Sequence, residues 1–448
     1  MHRRAGLGVT LAAAAVLLAG CTPSPTSAPA PAPATSQPGV ATTRLEVSDA
    51  LVAAPFDRPR DVQAPTGWTV ALWARVDGAR LAAWTPDGRL LVSRPQSGDV
   101  QVLTPRADAT AAPRITTLVA GLTRPHGLAF DGGDTLLVAE SGRVDAYDYA
   151  DGRVSGRRTL VKGLPDSSTP DLRGAYGHEL KSVAVGRDGA VYVSVGSTGN
   201  ASEEDRAASP ERASILRVVD GRTTVFARGV RNGTGLAVAP DGAVWTAVNN
   251  RDQIAYPYDR SFVGGGGSDR GQVLPAYVND HPLEPVARLT EGRDLGWPWC
   301  NPDPDVDPGV SGSALDFSDR GFVRDQQLNA DGSRLDCTTL PPVEQGLPAH
   351  SAPLGLSFAA DGVLPEPWGA GALVGVHGSW NRNPPQAPSV QFLPYRDGTL
   401  QEARTLLGGF QAANGDRWGR PVAAVTGPDG AVYVTDDDAG AVYRLVPA

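Results

Sequence analysis

The sequence predicts an all-β chain, a six-bladed β-propeller with long loop insertions. Three observations predict it. One short hairpin pattern recurs six times, the composition is one of many turns, and about 400 residues remain once an N-terminal leader and tether are set aside. The 448 residues include 53 glycines and 39 prolines against one methionine, which suits short strands joined by turns and not helix bundles. A remainder of that length is long for one ordinary domain but suits a closed repeat architecture.

The repeat is an apolar strand, an Asp-Gly turn and an alternating strand. Its first copy runs from Trp84 through Asp87-Gly88 to Leu90-Leu91-Val92, and its second from Leu128-Ala129-Phe130 through Asp131-Gly132 to Leu136-Leu137-Val138. The third joins Val183-Ala184-Val185 through Asp188-Gly189 to Val191-Tyr192-Val193, and the fourth joins Leu236-Ala237-Val238 through Asp241-Gly242 to Val244-Trp245. A weaker fifth copy is Leu356-Ser357-Phe358 with Asp361-Gly362; the last joins Val425-Thr426 through Asp429-Gly430 to Val432-Tyr433-Val434. Asp-Gly between apolar runs is a strong hairpin signal, because tight hairpin turns need positive φ and glycine adopts it without steric cost. A β-sandwich would not normally repeat one hairpin six times over such a length. Residues 255–350, between the fourth and fifth copies, are expected to hold the loop insertions. Gly264-Gly265-Gly266-Gly267 there is read as a flexible loop, since no strand pattern leads in and no helix pattern follows, as a dinucleotide site requires.

The ends and the cysteines suggest the compartment. His2, Arg3 and Arg4 precede an apolar run from Gly6 to Leu18, too short for a comfortable membrane span. Leu18-Ala19-Gly20-Cys21 resembles the box at which bacterial lipoprotein signal peptides are cut. Residues 1–20 are therefore expected to be a lipoprotein signal peptide, with Cys21 carrying the lipid that holds the protein at the outer face of the cell membrane. Residues 21–43, rich in Pro, Ala, Ser and Thr and without charge, read as a tether, and residues 44–448 as the propeller. With Cys21 lipidated, Cys300 and Cys337 remain as an even pair in an oxidising compartment, where a disulfide is expected. The net charge is −9, and removing residues 1–20 takes away two arginines and no acids, giving −11. An acidic surface argues against nucleic acid or anionic lipid as partners and leaves the lipid chain as the membrane contact.

The chemistry is carried by histidines, arginines and asparagines beside the hairpins, because propeller loops at one end of the central channel converge. His126 precedes the second hairpin, His178 the third, and Arg231-Asn232 the fourth; His350, His377, Asn381-Arg382 and Arg417 with Arg420 follow. Several other motifs fail. His178-Glu179-Leu180-Lys181-Ser182 begins like a zinc-protease helix, but Ser182 stands where the second histidine must be. Neither a Gly-x-Ser-x-Gly elbow nor a Cys-x-x-Cys pair is present. Asp436-Asp437-Asp438 offers carboxylates of the kind a metal-dependent lactonase would need, or an acidic hairpin turn.

Taken in order, these segments resemble a known family. His178, Val183, Val185, Gly186, Asp188 and Tyr192 look like the catalytic segment of the soluble quinoprotein glucose dehydrogenases. Gly229-Val230-Arg231-Asn232 with Gly235-Leu236-Ala237, and Leu295-Gly296-Trp297-Pro298, resemble later signatures of the same family. His350-Ser351-Ala352-Pro353 and His377-Gly378-Ser379-Trp380-Asn381-Arg382 look like its sorbosone-dehydrogenase branch. The resemblance runs from about residue 60 to the C-terminus. It implies a propeller that binds pyrroloquinoline quinone (PQQ) and oxidises a sugar hydroxyl or hydrated aldehyde, passing electrons to an external acceptor. His178 matches the family's catalytic histidine and is expected to be the general base. PQQ carries three carboxylates and an ortho-quinone, so Arg231, Arg382, Arg417 and Arg420 are the expected clamps, with Asn232 and His377 beside them. The resemblance also implies calcium held through backbone carbonyls, which places it at Asn249 and Asn250. Two departures stand out. The glucose-oxidising members have a lysine where this chain has His377 and Arg382, and the C-terminal arginines are differently spaced. A propeller that binds a protein or glycan without catalysis is the rival reading.

Overall fold

The structure, a computed structural model, describes residues 39–412 and 414–447; Cys21 and the expected signal peptide lie outside them. Six antiparallel sheets follow one another in chain order. Blade 1 is Ala82–Trp84, Leu90–Arg94, Asp99–Thr104 and Arg114–Ala120, and blade 2 is Leu128–Asp131, Thr135–Ala139, Arg143–Ala150 and Arg153–Lys162. Blade 3 starts with Val183–Val185 and Val191–Val195, blade 4 with Gly235–Val238 and Val244–Ala247, and blade 5 with Pro353–Ala359 and Gly371–Val376. Blade 6 is Pro421–Thr426, Val432–Asp436 and Ala441–Val446, completed on its outer side by Thr69–Arg75 from near the start of the domain. The ring is thus closed by hydrogen bonds between the first and last strands of the propeller, which cover the Ala441–Val446 edge.

Each repeat forms the inner hairpin of one blade, and four of the turns are alike in detail. In blades 1, 3, 4 and 6 the glycine N–H donates to the carbonyl three residues back, as in Gly189 to Gly186 at 3.0 Å and Gly242 to Ala239 at 2.9 Å. Gly88, Gly189, Gly242 and Gly430 all have φ between 76° and 92°, the left-handed region that a side chain resists. In blades 3, 4 and 6 the aspartate ahead of the glycine accepts a backbone N–H two residues on, as Asp241 does from Ala243 at 2.9 Å; in blade 1 that N–H, of Arg89, goes to the Thr85 hydroxyl at 2.9 Å.

The strands read as near-continuous apolar runs because both faces of each blade are covered. Leu90 and Val92 pack toward blade 6, whereas Leu91 between them packs toward blade 2. The same alternation sends Leu136 and Val138 to blade 1 and Leu137 and Ala139 to blade 3. Six hydrophobic cores result, one between each pair of neighbouring blades. The six innermost strands surround a central channel, part of which is a cavity of about 350 Å³ lined from every blade.

The insertions fall in blade 4, on either side of its third strand Glu284–Leu289, as expected. They carry a small aromatic core of their own around Tyr256 and Tyr277. The Cys300–Cys337 disulfide is present, with Cα atoms 5.7 Å apart. Arg293–Asp294 adds in parallel to the outer edge of blade 3, tying the insertion to the ring. Val40–Arg44 pairs with Asp61–Pro65, so a strand takes in the last residues of the stretch expected to be a tether. Among the described residues no helix is long and apolar enough to cross a membrane.

Candidate active site at the mouth of the channel

In each blade the innermost strand runs antiparallel to the second. The loop leading into the first and the loop leaving the second therefore open at the same end of the channel. Loops of the first kind carry Arg80, His126, His178, Arg231, Asn232, His350, Arg417 and Arg420; loops of the second kind carry Ser197, Asn200, Asn249, Asn250, His377, Arg382 and Asp437. Every site residue predicted from the sequence, apart from the cysteines, lies at this mouth.

His178 is half-buried. Its Nδ1 lies 3.1 Å from the Ser197 carbonyl and 2.9 Å from the Ser197 hydroxyl, whose own proton goes to the Gly199 carbonyl at 2.7 Å. Both partners at Nδ1 are therefore acceptors. The proton is fixed on Nδ1, and the Nε2 lone pair is left without a hydrogen bond among the described residues. Burial, and then the charge of Arg231, push the His178 pKa down to about 3, so the ring is neutral at physiological pH. Gly196 makes the site possible. A Cβ there would lie 2.6 Å from the His178 Cβ and 3.3 Å from the Asn232 side-chain oxygen. The Asn232 amide, almost fully buried beside His178, makes no hydrogen bond among the described residues. His126 differs from His178. It is sealed from solvent, its Nδ1 meets the Lys181 carbonyl at 3.2 Å, and its Nε2 has no hydrogen-bond partner.

Arg231 is committed to the protein. Its guanidinium donates to the Asn249 carbonyl at 3.0 Å and to Asn200 Oδ1 at 3.2 Å, with the Asp252 carboxylate at 3.7 Å. Asp252 is the hub of this network: it accepts from Asn381 at 3.0 Å and pairs with His350 at 3.0 Å. Burial opposes the charge on Asp252, but His350 and Arg231 hold its pKa below the usual carboxylate value. Asn250 donates its backbone N–H to the buried Glu284 and its amide to the Leu283 carbonyl at 3.1 Å. The Asn249 carbonyl expected to hold calcium thus already accepts from the Arg231 guanidinium. Arg382 is likewise occupied, by Asp280 at 2.7 Å and the Ala349 carbonyl.

The opposite rim holds unneutralised cations. His377 Nε2 donates to Asp437 at 2.8 Å, and Arg80 donates to the other oxygen of the same carboxylate at 2.7 Å. Burial works against the charge on Asp437, yet His377 and Arg80 hold its pKa far below the usual range. Arg420 gives its Nε proton to the His377 carbonyl at 2.9 Å, and Arg417 bonds Gln411 and the Ser379 carbonyl. Neither arginine forms an ion pair among the described residues. Burial lowers both pKa values; Arg420 adds to the lowering at Arg417, while Asp438 at both and Asp437 at Arg420 work against it. A cavity of about 270 Å³ opens beside Arg80, Leu180 and Asp437.

Sequence reasoning missed Arg80, Ser197, Asn200, Asp252 and Lys181 as parts of this mouth. Arg80 was within reach, since it stands just before the first hairpin as His178 stands before the third. Asn200 and Ser197 act partly through backbone atoms, which no residue pattern marks. Asp436 turns out to cap its hairpin, accepting from Asp438 at 3.0 Å and Ala439 at 2.8 Å, in line with the acidic-turn reading.

Comparison with known proteins places this arrangement. A family model described as TrAA12-like matches residues 62–448. The pyrroloquinoline quinone-dependent pyranose dehydrogenase of Coprinopsis cinerea is 26% identical over 421 residues, covering 74% of this chain and 53% of that protein. The chain thus spans about half the length of that curated relative. Among solved structures, the holo PQQ domain of the Coprinopsis cinerea pyranose dehydrogenase superposes with a TM-score of 0.67 at 22% identity, over 86% of this chain and 97% of that domain. The calcium structure of the Trichoderma reesei carbohydrate-active enzyme family AA12 protein gives 0.69 at 21% identity, over 86% and 96%. With the family match running through all six blades, the chain belongs to the TrAA12-like family.

Proposed function

We propose that this protein is a PQQ-dependent sugar dehydrogenase acting on an aldose or sorbosone-type substrate, with His178 as the general base. The observation that carries it is the pairing, at one mouth, of a neutral histidine with an open Nε2 and of two arginines without anionic partners. The donor set suits PQQ, which would supply the hydride acceptor when bound. Arg417 and Arg420 are the cations for its carboxylates, and the free Asn232 amide is a hydrogen-bond donor for its quinone edge. Arg231 and Arg382 are positioning residues, since their guanidinium groups already hold Asn249, Asn200 and Asp280.

The protein's own steps are then binding, orientation and proton removal. The ring of His178, locked by Ser197, presents Nε2 to a substrate hydroxyl and takes its proton. The low pKa keeps that nitrogen unprotonated in the free protein, and anions bound nearby would raise it toward a more effective base. His126 has no such access, which favours His178 between the two. The similarity to the Coprinopsis cinerea pyranose dehydrogenase supports a sugar as substrate. Adding PQQ to the purified chain and recording the absorption spectrum, then adding sugars with an artificial electron acceptor, tests the reading. A quinone band with sugar-dependent dye reduction is expected; no spectral change on adding PQQ would overturn it.

We further propose that residues 1–20 are a lipoprotein signal peptide, that residues 21–43 form the tether and that Cys21 is lipidated, placing the propeller at the cell exterior. Mass spectrometry of the mature N-terminus should find an acylated cysteine, and Cys21→Ser should release the protein from membranes. An unmodified chain starting elsewhere would rule this out.

A further inference from the structure

The insertion between the second and third strands of blade 4, and the one after the third, meet at a buried group of titratable side chains that includes none of the channel-mouth residues. His281 follows the short helix Pro275–Val278, and Asp303 and Asp305 follow the strand Cys300–Pro302. All three are almost fully buried, with relative exposures of 2%, 6% and 2%. His281 Nε2 lies 3.4 Å from Asp303 Oδ1 and 3.2 Å from Asp305 Oδ1, yet it makes no hydrogen bond with either.

That separation has a physical meaning. Two ligands bound at about 2.0–2.1 Å around a tetrahedral metal stand roughly 3.3–3.4 Å apart. The other ring nitrogen is arranged as metal-ligating histidines usually are: Nδ1 faces the Tyr277 carbonyl at 2.8 Å, which fixes a proton there and leaves Nε2 facing the two carboxylates. The Tyr277 ring stacks on the imidazole at 3.9 Å and holds its plane. The remaining carboxylate oxygens are tied down as well. Asp303 Oδ2 accepts from the Tyr258 hydroxyl and Asp305 Oδ2 from the Gly309 N–H at 3.0 Å. Asp303 Oδ1 also accepts the Asp305 N–H at 3.0 Å. The nearby Arg320 spends its protons on the backbone carbonyls of Asp303 and Asp305, not on the carboxylates.

Charge points the same way. With Nε2 deprotonated, as metal ligation requires, the imidazole and two carboxylates carry −2, which a divalent ion balances; without a metal, burial works against a protonated ring and the two aspartates favour it. One imidazole with two carboxylates is a mixed set that suits a zinc-class ion better than calcium, which takes oxygen ligands at 2.3–2.6 Å. We infer that His281, Asp303 and Asp305 form a structural binding site for a divalent zinc-class metal ion, which ties the two blade 4 insertions together. None of the three residues belongs to the channel-mouth set, and the inference does not rest on the proposed dehydrogenase activity.

The test uses the full chain without added PQQ. After chelator treatment and dialysis, the protein is titrated with Zn²⁺ by calorimetry and its metal content measured by mass spectrometry. One equivalent of zinc is expected, with a rise in melting temperature. X-ray absorption at the zinc edge should show nitrogen and oxygen ligands including one imidazole. Asp305→Asn and His281→Ala should each lose that equivalent, or bind it at least about 100-fold more weakly, and lose the zinc-dependent rise in melting temperature. If either variant fails to fold, the absorption spectrum of the parent protein decides. Zinc retained at the same affinity in both variants would overturn the inference. So would a parent protein that binds none and whose His281 titrates near pH 9 as an imidazolium held by the two aspartates.

Discussion

His178 and His126 both lie in loops leading into the innermost strands of successive blades, five and two residues before them, and their surroundings separate them. His178 keeps Nε2 open beside Asn232, whereas His126 is enclosed with Lys181 behind it. General base catalysis is typically worth about 10²–10⁴-fold, so His178→Ala should lose turnover by that factor while PQQ still binds. His126→Ala should lose far less once its effect on folding is separated by melting curves. Sugar-dependent dye reduction in PQQ-loaded protein measures both, and parental turnover in His178→Ala would remove it from the chemistry. Glu284 gives a second prediction. Burial raises its pKa to about 7, against the Asn250 N–H and His350, which work to lower it. Its folded pKa lies above its unfolded one, so its contribution is most favourable below pH 4.5 and is lost as pH rises toward 7. The loss is on the order of 3 kcal/mol. Glu284→Gln removes the titration. Denaturation of variant and parent at pH 5 and pH 7.5 should show the variant gaining relative stability at the higher pH; an equal difference at both would exclude the titration. The sequence could show the positions of such residues, because placement before a hairpin is a pattern. It could not show that Arg231 would spend its protons on Asn200 and Asn249, since those partners come from loops of two other strands.

At the scale of the strand and turn, the Asp-Gly hairpins were the most legible feature of the chain. Positive φ is demanded of one residue in each, and glycine is the residue that tolerates it. Gly242 has φ of 92° and is half-buried, with the flexible Arg187 side chain the nearest neighbour of an added Cβ. Gly242→Ala should therefore cost about 1–2 kcal/mol through backbone strain alone. Within a blade, Leu91 is fully buried against blade 2, so Leu91→Ala should cost about 2–5 kcal/mol. Chemical denaturation of the two variants gives the ranking, and a Gly242→Ala protein less stable than Leu91→Ala would contradict it. The insertions in blade 4 were much less legible. Their length and the cysteine pair could be read, but they are held by isolated side-chain contacts such as Tyr258 to Asp303 and Arg320 to backbone carbonyls. Such contacts follow no period, and His281, Asp303 and Asp305 accordingly passed unnoticed in the sequence.

Over the whole molecule, the repeat count gave six blades, yet nothing local showed how the sixth would be completed. Its three C-terminal strands end at Ala441–Val446, and the fourth place is taken by Thr69–Arg75, which pairs along six of its residues with that strand. Thr69–Arg75 lacks the Asp-Gly signal, because its partner lies at the far end of the chain and no turn joins them. The core between blades 5 and 6 depends on it: Val70 and Leu72 are buried there among Phe392, Val434 and Leu445. On the other face Trp73 is 1% exposed and sits edge-on to Tyr433, with ring centres 4.8 Å apart, in the core between blades 6 and 1. One strand thus closes two cores as well as the hydrogen-bonded ring. Removing it would bare the Ala441–Val446 edge, whose residues are otherwise buried, and an uncovered apolar edge invites pairing with other chains. A protein lacking residues 1–38 should therefore melt at the parental temperature and stay monodisperse. One lacking residues 1–75 should lose cooperative melting or aggregate. Trp73→Ala should fall between them, at a cost of about 3–5 kcal/mol. Calorimetry with size-exclusion chromatography distinguishes the three. Closure by this strand is refuted if the shorter chain melts cooperatively as a monomer at the temperature of the longer one.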